Sequence, residues 1–134
     1  MEERACRIAA AGYGVISQYG IRRATMNDVA TAAGVSRQTI YNVFPNREAL
    51  LLGVARYHFE SKWRAIREFC ATTPDRRERF ELLLDNLVIE PWESMQAMPH
   101  ADELELELAT TIKQELVEVH LEAQRNLCEF LLEY

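Results

Sequence analysis

Residues 34–44 read GVSRQTIYNVF, and within that stretch Arg37, Gln38, Thr39, Tyr41 and Asn42 bring a guanidinium, two carboxamides, a hydroxyl and a phenol into two helical turns. These groups recognise rather than react. A guanidinium fork suits anionic oxygens and paired acceptors, and a carboxamide donates and accepts at once. At about 100° per residue, Ile40, Val43 and Phe44 share one sector of a helix, while Gln38, Thr39, Tyr41 and Asn42 fan around the other side. One side is core, and the other is free to bind something.

Reaction chemistry has no comparable constellation. There is no GxSxG, no glycine-rich phosphate loop and no base beside an evident nucleophile, so no catalytic residues are expected. His58, His100 and His120 lack ligand spacing, and neither HExxH nor a Cys–His cluster occurs, so neither a metal nor a cofactor is expected. Cys6, Cys70 and Cys128 are odd in number, far apart and without a CxxC, which argues against a disulfide framework and for plain thiols in a reducing compartment.

The segment that positions the polar face has local punctuation on both sides. Gly34 suits the left-handed stop of a preceding helix, Val35 the apolar pivot of a tight corner, and Ser36 the cap of the helix that follows. Upstream, residues 2–19 place Ala5, Ile8, Gly12, Val15, Ile16 and Tyr19 at helical steps, and Gly20 ends that first helix. TMND at 25–28 fits a capping box and opens a second helix to about Ala33. After the third helix, Pro45 and Asn46 stop one helix and cap the next, which runs from Arg47 to about Ala71, broken only by Gly53. Close packing against the first helix, or a hinge, accounts for that glycine.

TTPD at 72–75 reads as loop and cap before a fifth helix with Phe80, Leu83, Leu84, Leu87 and Val88 inward. Pro91 suits the first turn of a short helix that Pro99 closes. In the remainder Leu104, Leu108, Ile112, Leu116, Val119, Ala123, Leu127 and Phe130 recur at about 3.7 residues, a long last helix. The chain therefore reads as all-α.

At 134 residues and 49% hydrophobic content it can bury a core of one ordinary domain, or of a small module fused to a partial second one. No apolar run approaches the roughly 18 residues of a membrane span, and the N-terminus lacks a leader's apolar stretch, so a soluble, unexported protein is expected. Net charge is −6, unevenly spread: residues 1–48 hold six arginines against four acids, and residues 49–134 nine basic against seventeen acidic groups. The two segments are built for different partners.

TMNDVATAAGVSRQTIYNVFPNREALL resembles the DNA-binding signature of the tetracycline-repressor (TetR) family of bacterial transcription regulators, over residues 5 to about 60. The resemblance implies a three-helix, homeodomain-like helix-turn-helix DNA-binding domain over 1–48, with the helix from 46 bridging onward. A helical effector-binding and dimerisation domain would follow over 49–134; since the family's two further pairing helices do not follow, either that domain is expected to be incomplete or helices six and seven supply the interface. Because the start of a recognition helix reaches base edges in the major groove, Arg37 and Gln38, then Thr39, are the expected base readers. The family pattern places phosphate contacts on Thr25, Ser36, Tyr41, Asn42 and Arg47, which suits hydroxyls and helix N-termini. It also implies a small-molecule effector pocket, for which Tyr57, Trp63, Phe80, Trp92, Met95, Met98 and His100 are the candidates, although ordinary packing explains most such residues.

The expectation is thus a cytoplasmic bacterial regulator, a repressor bound to double-stranded DNA at an inverted-repeat operator as a homodimer and released by a small molecule. A helical small-molecule binding protein without operator binding is the alternative, and the polar outward face of the third helix argues against it.

Overall fold

The structure, a computed structural model, describes residues 1–97 and 113–133. Among them the chain forms α1 (Glu3–Tyr19), α2 (Met26–Ala33), α3 (Arg37–Val43), α4 (Arg47–Thr72), α5 (Arg76–Leu84), a π-turn (Asp85–Ile89), α6 (Glu90–Ala97) and α7 (Lys113–Glu133), with no strand. The all-α reading holds, as do the helix boundaries through α4 to within a residue or two. Helix α7 covers only part of the expected last helix, because Leu104, Leu108 and Ile112 lie outside the described residues.

Local capping explains why these helices start where they do. The Thr25 hydroxyl accepts from the Asp28 amide at 3.2 Å, and the Asp28 carboxylate accepts from the Thr25 amide at 3.1 Å, closing the expected capping box. Hydrogen bonds from the Thr25 side chain and then its backbone hold the Asp28 carboxyl below its ordinary range. Ser36 accepts from the Thr39 amide at 3.1 Å and Asn46 from the Ala49 amide at 2.8 Å. Asp75 caps α5 through the Arg77 amide at 2.7 Å. Gly34, at φ 65°, closes α2 in the left-handed region and turns the chain into α3.

A first core gathers Ile8, Val15 and Ile16 of α1, Ile21, Val29, Ile40, Phe44, and Leu50, Leu51 and Val54 of α4. Its closest approaches need glycine. A Cβ on Gly12 of α1 would stand 2.8 Å from Cγ2 of Val54, and one on Gly53 would stand 2.4 Å from Cε1 of Phe44. The sequence reading set Gly53 against the first helix or made it a hinge; its neighbour is instead the ring that ends α3. Consecutive helical residues point about 100° apart, so Val54 receives α1 and Gly53 receives Phe44.

A second core joins Trp63, Ile66 and Cys70 of α4 to Leu83 of α5 and Phe130 of α7, with Phe69, Leu87 and Leu127 at its edge. The Trp63 and Phe130 rings sit 6.3 Å apart. Burial pushes the Cys70 thiol up, with Arg79 opposing, as suits a thiol serving as a small apolar filler. Both cores rest on α4, whose 26 residues span about 39 Å at 1.5 Å each. None of the helices among the described residues is long and apolar enough to cross a membrane.

The reading of the fifth helix needs correction. Leu83 is buried and Leu87 half-buried, but Phe80, Leu84 and Val88 are exposed. Pro91 does sit in the first turn of a short helix, α6, but no loop precedes it, because α5, the π-turn and α6 run on without a break. Proline at 91 cannot donate to the carbonyl four residues back, and its ring crowds that carbonyl. The turn before it widens to the i→i−5 pattern, the Glu90 amide donating to the Asp85 carbonyl. A period of 3.6 therefore does not carry faces across 85–89, while Phe80 and Leu84, within regular α5, are exposed because no described element covers them.

Gly53→Ala is expected to destabilise the chain by about 1–3 kcal/mol, because the ring it meets sits in a packed core. Gly14→Ala, where nothing lies within 4 Å, should be neutral or stabilising by up to about 1 kcal/mol through helix propensity. Urea midpoints of the two variants, compared with the parent, check the contrast.

Candidate nucleic-acid interface

The residues of the GVSRQTIYNVF stretch divide as their spacing requires. Ile40 is fully buried, Phe44 is buried and Val43 packs against the first core, whereas Arg37, Gln38, Tyr41 and Asn42 are exposed. Because α3 is held by its inner side and by the Ser36 cap, the outward side chains share one rigid base.

Arg37 occupies the first position of α3, its guanidinium carbon 5.8 Å from the centre of the Tyr41 ring. A cation over an aromatic face at this distance is weakly attracted to it, which holds the guanidinium near the Tyr41 ring. Gln38 and Asn42 project from neighbouring turns. Thr39 is half-buried, and its hydroxyl shares a 2.8 Å hydrogen bond with Ser36 Oγ, so these two side chains are tied to each other as well as to the helix start.

Beside α3 lies a cleft of about 570 Å³, lined by Arg22, Ala24, Thr25, Met26, Asn27, Arg37, Tyr41, Pro45, Asn46 and Arg47. The starts of α2 and α4 both open on it. The partial positive charge of two helix N-termini, joined by three arginines, makes an anion-attracting surface within an acidic chain, with Asp28 and Glu48 of the two first turns opposing it. Four of the residues expected to meet phosphate or bases, Thr25, Arg37, Tyr41 and Arg47, line this one cleft; Gln38, Thr39, Ser36 and Asn42 lie along α3 beside it.

Arg47 has a second task that its sequence position did not reveal. Its Nη2 donates to the Ile21 carbonyl at 2.6 Å, tying the start of α4 to the corner after α1. Sequence reasoning also missed Arg22, Asn27 and Asn46 as parts of the cleft wall. The Arg22–Arg23 pair after Gly20 and Ile21 was the available signal, but only the fold brings that corner beside α3 and α4.

Among the described residues, the effector candidates Tyr57, Trp63, Phe80 and Trp92 do not converge on one cavity. Trp63 is buried in the second core, Tyr57 is half-buried against the first, and Phe80 and Trp92 are 55% and 60% exposed on the α5–α6 face. The side chain of Met95 is not described, and Met98 and His100 lie outside the described residues. A separate groove of about 390 Å³ runs between α4 and α7, where Trp63 and Phe59 are flanked by Arg56, Arg64, Arg67, Glu60, Glu68, Glu122 and Asn126.

The comparisons with known proteins bear on this geometry. A family profile described as bacterial regulatory proteins, tetR family, matches residues 8–54, the span of the first core and the cleft. Over 84 residues the chain is 29% identical to the HTH-type transcriptional activator FasR of Mycolicibacterium smegmatis, covering 63% of this chain and 38% of FasR. Over 31 residues it is 61% identical to the HTH-type transcriptional regulator AlkX of Mycobacterium tuberculosis, covering 23% of this chain and 15% of AlkX. Those matches thus span well under half the length of either relative. Among solved structures, a protein assigned to the TetR family from Rhodococcus sp. superposes with a TM-score of 0.64 at 28% identity, over 99% of this chain and 68% of that one. The fatty acid degradation regulator FadR of Bacillus halodurans, at 23% identity and a TM-score of 0.57, covers 98% of this chain and 64% of its own, and shares the fold. Residues 8–54, the three-helix module that carries α3, match the tetR family of bacterial regulatory proteins, and the fold of the chain is that of a TetR-family structure.

Proposed function

We propose that the chain is a ligand-responsive, DNA-binding transcriptional repressor of the bacterial cytoplasm, bound as a homodimer to an inverted-repeat operator and released when a small molecule occupies its second helical segment. The observation that carries the reading is the outward face of α3 beside an arginine-rich cleft. Arg37 and Gln38 stand at the start of the helix, where a groove-bound helix meets base edges. Arg37 then takes a guanine through its two-pronged edge, with Gln38 and Thr39 reading the neighbouring positions. Thr25, Ser36, Tyr41, Asn42 and Arg47 contact phosphates and fix register without reading sequence.

Release follows from the geometry of α4. One end of this helix borders the cleft and the other carries the second core, so a ligand that favours one tilt of α4 changes how far apart paired recognition helices stand. Coupling of this kind is typically about 1–3 kcal/mol, or 5–150-fold in operator affinity. The one-sided charge distribution serves the same end, since acidic groups in the second segment keep DNA to the α3 face.

Selection of bound duplexes from a random pool tests the reading. The expected outcome is an inverted repeat whose half-sites lie about one helical turn, or a multiple, apart. A pool with no enriched repeat would sink the operator claim. Substitutions then separate readers from anchors: Arg37→Ala should relax preference at one base pair by about 1–3 kcal/mol. Arg47→Ala should weaken all sequences alike, reduce the salt slope by about one, and also lower the urea midpoint because it frees the Ile21 carbonyl. Equal loss of specific and nonspecific affinity in Arg37→Ala would remove it from the readers.

A further inference from the structure

Between the two cores, α4 carries a polar strip that neither core nor cleft uses. His58 is half-buried, and its ring lies flat on that of Tyr13 of α1, with centroids 4.9 Å apart and planes within 12°. Phe59 closes its edge at 6.0 Å. One turn further along α4, Lys62 is bonded to the Glu90 carboxylate of α6, and Ser94 of α6 reaches Glu90 at 3.5 Å. Tyr13 in turn follows Gly12, the point of closest approach between α1 and α4, and packs against the first core. Two pairs one helical turn apart, Tyr13–His58 and Lys62–Glu90, therefore link α4 to α1 and to α6, and Lys62 acts on His58 through its charge. We propose that the Tyr13–His58 ring pair is the joint through which α1 and α6 sense one another, and that it stays closed only while His58 is uncharged.

The groups facing His58 decide the sign. Burial chiefly, and the Lys62 cation next, push its imidazole below the ordinary 6.5, while the Glu90 carboxylate pulls it back. A charged imidazole would gain some attraction from the Tyr13 face, about 0.5–1 kcal/mol at partly exposed sites. That gain is opposed by lost hydration and by Lys62, which together outweigh the Glu90 carboxylate. Since the folded value lies below the unfolded one, the joint contributes fully above 6.5 and is lost as pH falls through the folded value. Glu90 makes the joint responsive to α6. When α6 carries Glu90 away, Lys62 is left uncompensated beside His58, and protonation becomes harder still. Under the proposed function these pairs would relay ligand occupancy to the DNA-binding helices, but their operation does not require DNA.

The test is a pH titration of the whole chain by NMR, following the His58 and Tyr13 ring signals, with amide exchange of α1 corrected for its intrinsic pH dependence. The expected result is a His58 midpoint below 6.5, Tyr13 signals moving with that same midpoint, and α1 opening that rises by at most about tenfold per pH unit as pH falls from 6.5 towards it and then levels off, as one proton requires. Glu90→Gln should move the midpoint down and Lys62→Met should move it up. His58→Phe, which keeps a ring against Tyr13 and takes no charge, should abolish the acid opening. Tyr13 signals that ignore the His58 titration would overturn the proposal, as would a His58→Phe chain whose α1 opens with acid like the parent. Should that variant not fold, the parent titration alone decides, and none of these readouts depends on whether an operator exists.

Discussion

Two consecutive residues of α4, Gly53 and Val54, hold the arrangement on which the rest of the molecule depends. Val54 takes the close approach of α1 at Gly12, and Gly53 takes the ring of Phe44 at the end of α3. One short stretch of helix therefore fixes both the helix that supports the corner and the helix that carries the polar face. Dispersion at such contacts is small per atom pair but falls off steeply with a gap of even half an ångström. A methyl group at either glycine forces such a gap, or a shift, into the core from which α3 projects. The precision with which Arg37 and Gln38 are presented is thus set by packing on the far side of α3, through Ile40 and Phe44.

The same helix makes the two halves of the chain mechanically dependent. The first core ends at Tyr57 and the second begins at Trp63, with His58 and Lys62 between them making sideways contacts to α1 and α6. The anion-attracting cleft is equally composite. Its arginines come from the corner after α1, the start of α3 and the start of α4, and Arg47 fastens the first of these to the last. Charge and packing cooperate there: the bond that braces the corner also brings basic groups to one side of an acidic protein.

What the sequence disclosed and what it concealed follow from range. The caps at Thr25, Ser36 and Asn46 and the left-handed Gly34 involve partners within a few residues, so residue type and spacing sufficed to place α2, α3 and the start of α4. The partition of α3 into Ile40 and Phe44 inside and Arg37, Gln38, Tyr41 and Asn42 outside was legible for the same reason. The partner of Gly53 was not, because helical spacing tells which residues share a face and not which neighbour that face meets. Arg22 in the cleft wall and Ile21 as the acceptor for Arg47 likewise require the tertiary fold. On the α5–α6 run the failure was only partly of period. The widened turn at 85–89 shifts the face of Val88, whereas Phe80 and Leu84 belong to regular α5 and are exposed because no described element covers them.

The central claim is that this chain meets DNA with the start of α3 and the cleft beside it. Titrating the isotopically labelled chain with a random-sequence duplex at low salt, and mapping the amide shifts, tests it most directly. The account predicts changes confined to Arg22–Asp28, Ser36–Asn42 and Asn46–Arg47, diminishing as salt is raised. Shifts centred instead on α5, α6 or α7, or none at any salt concentration, would contradict it.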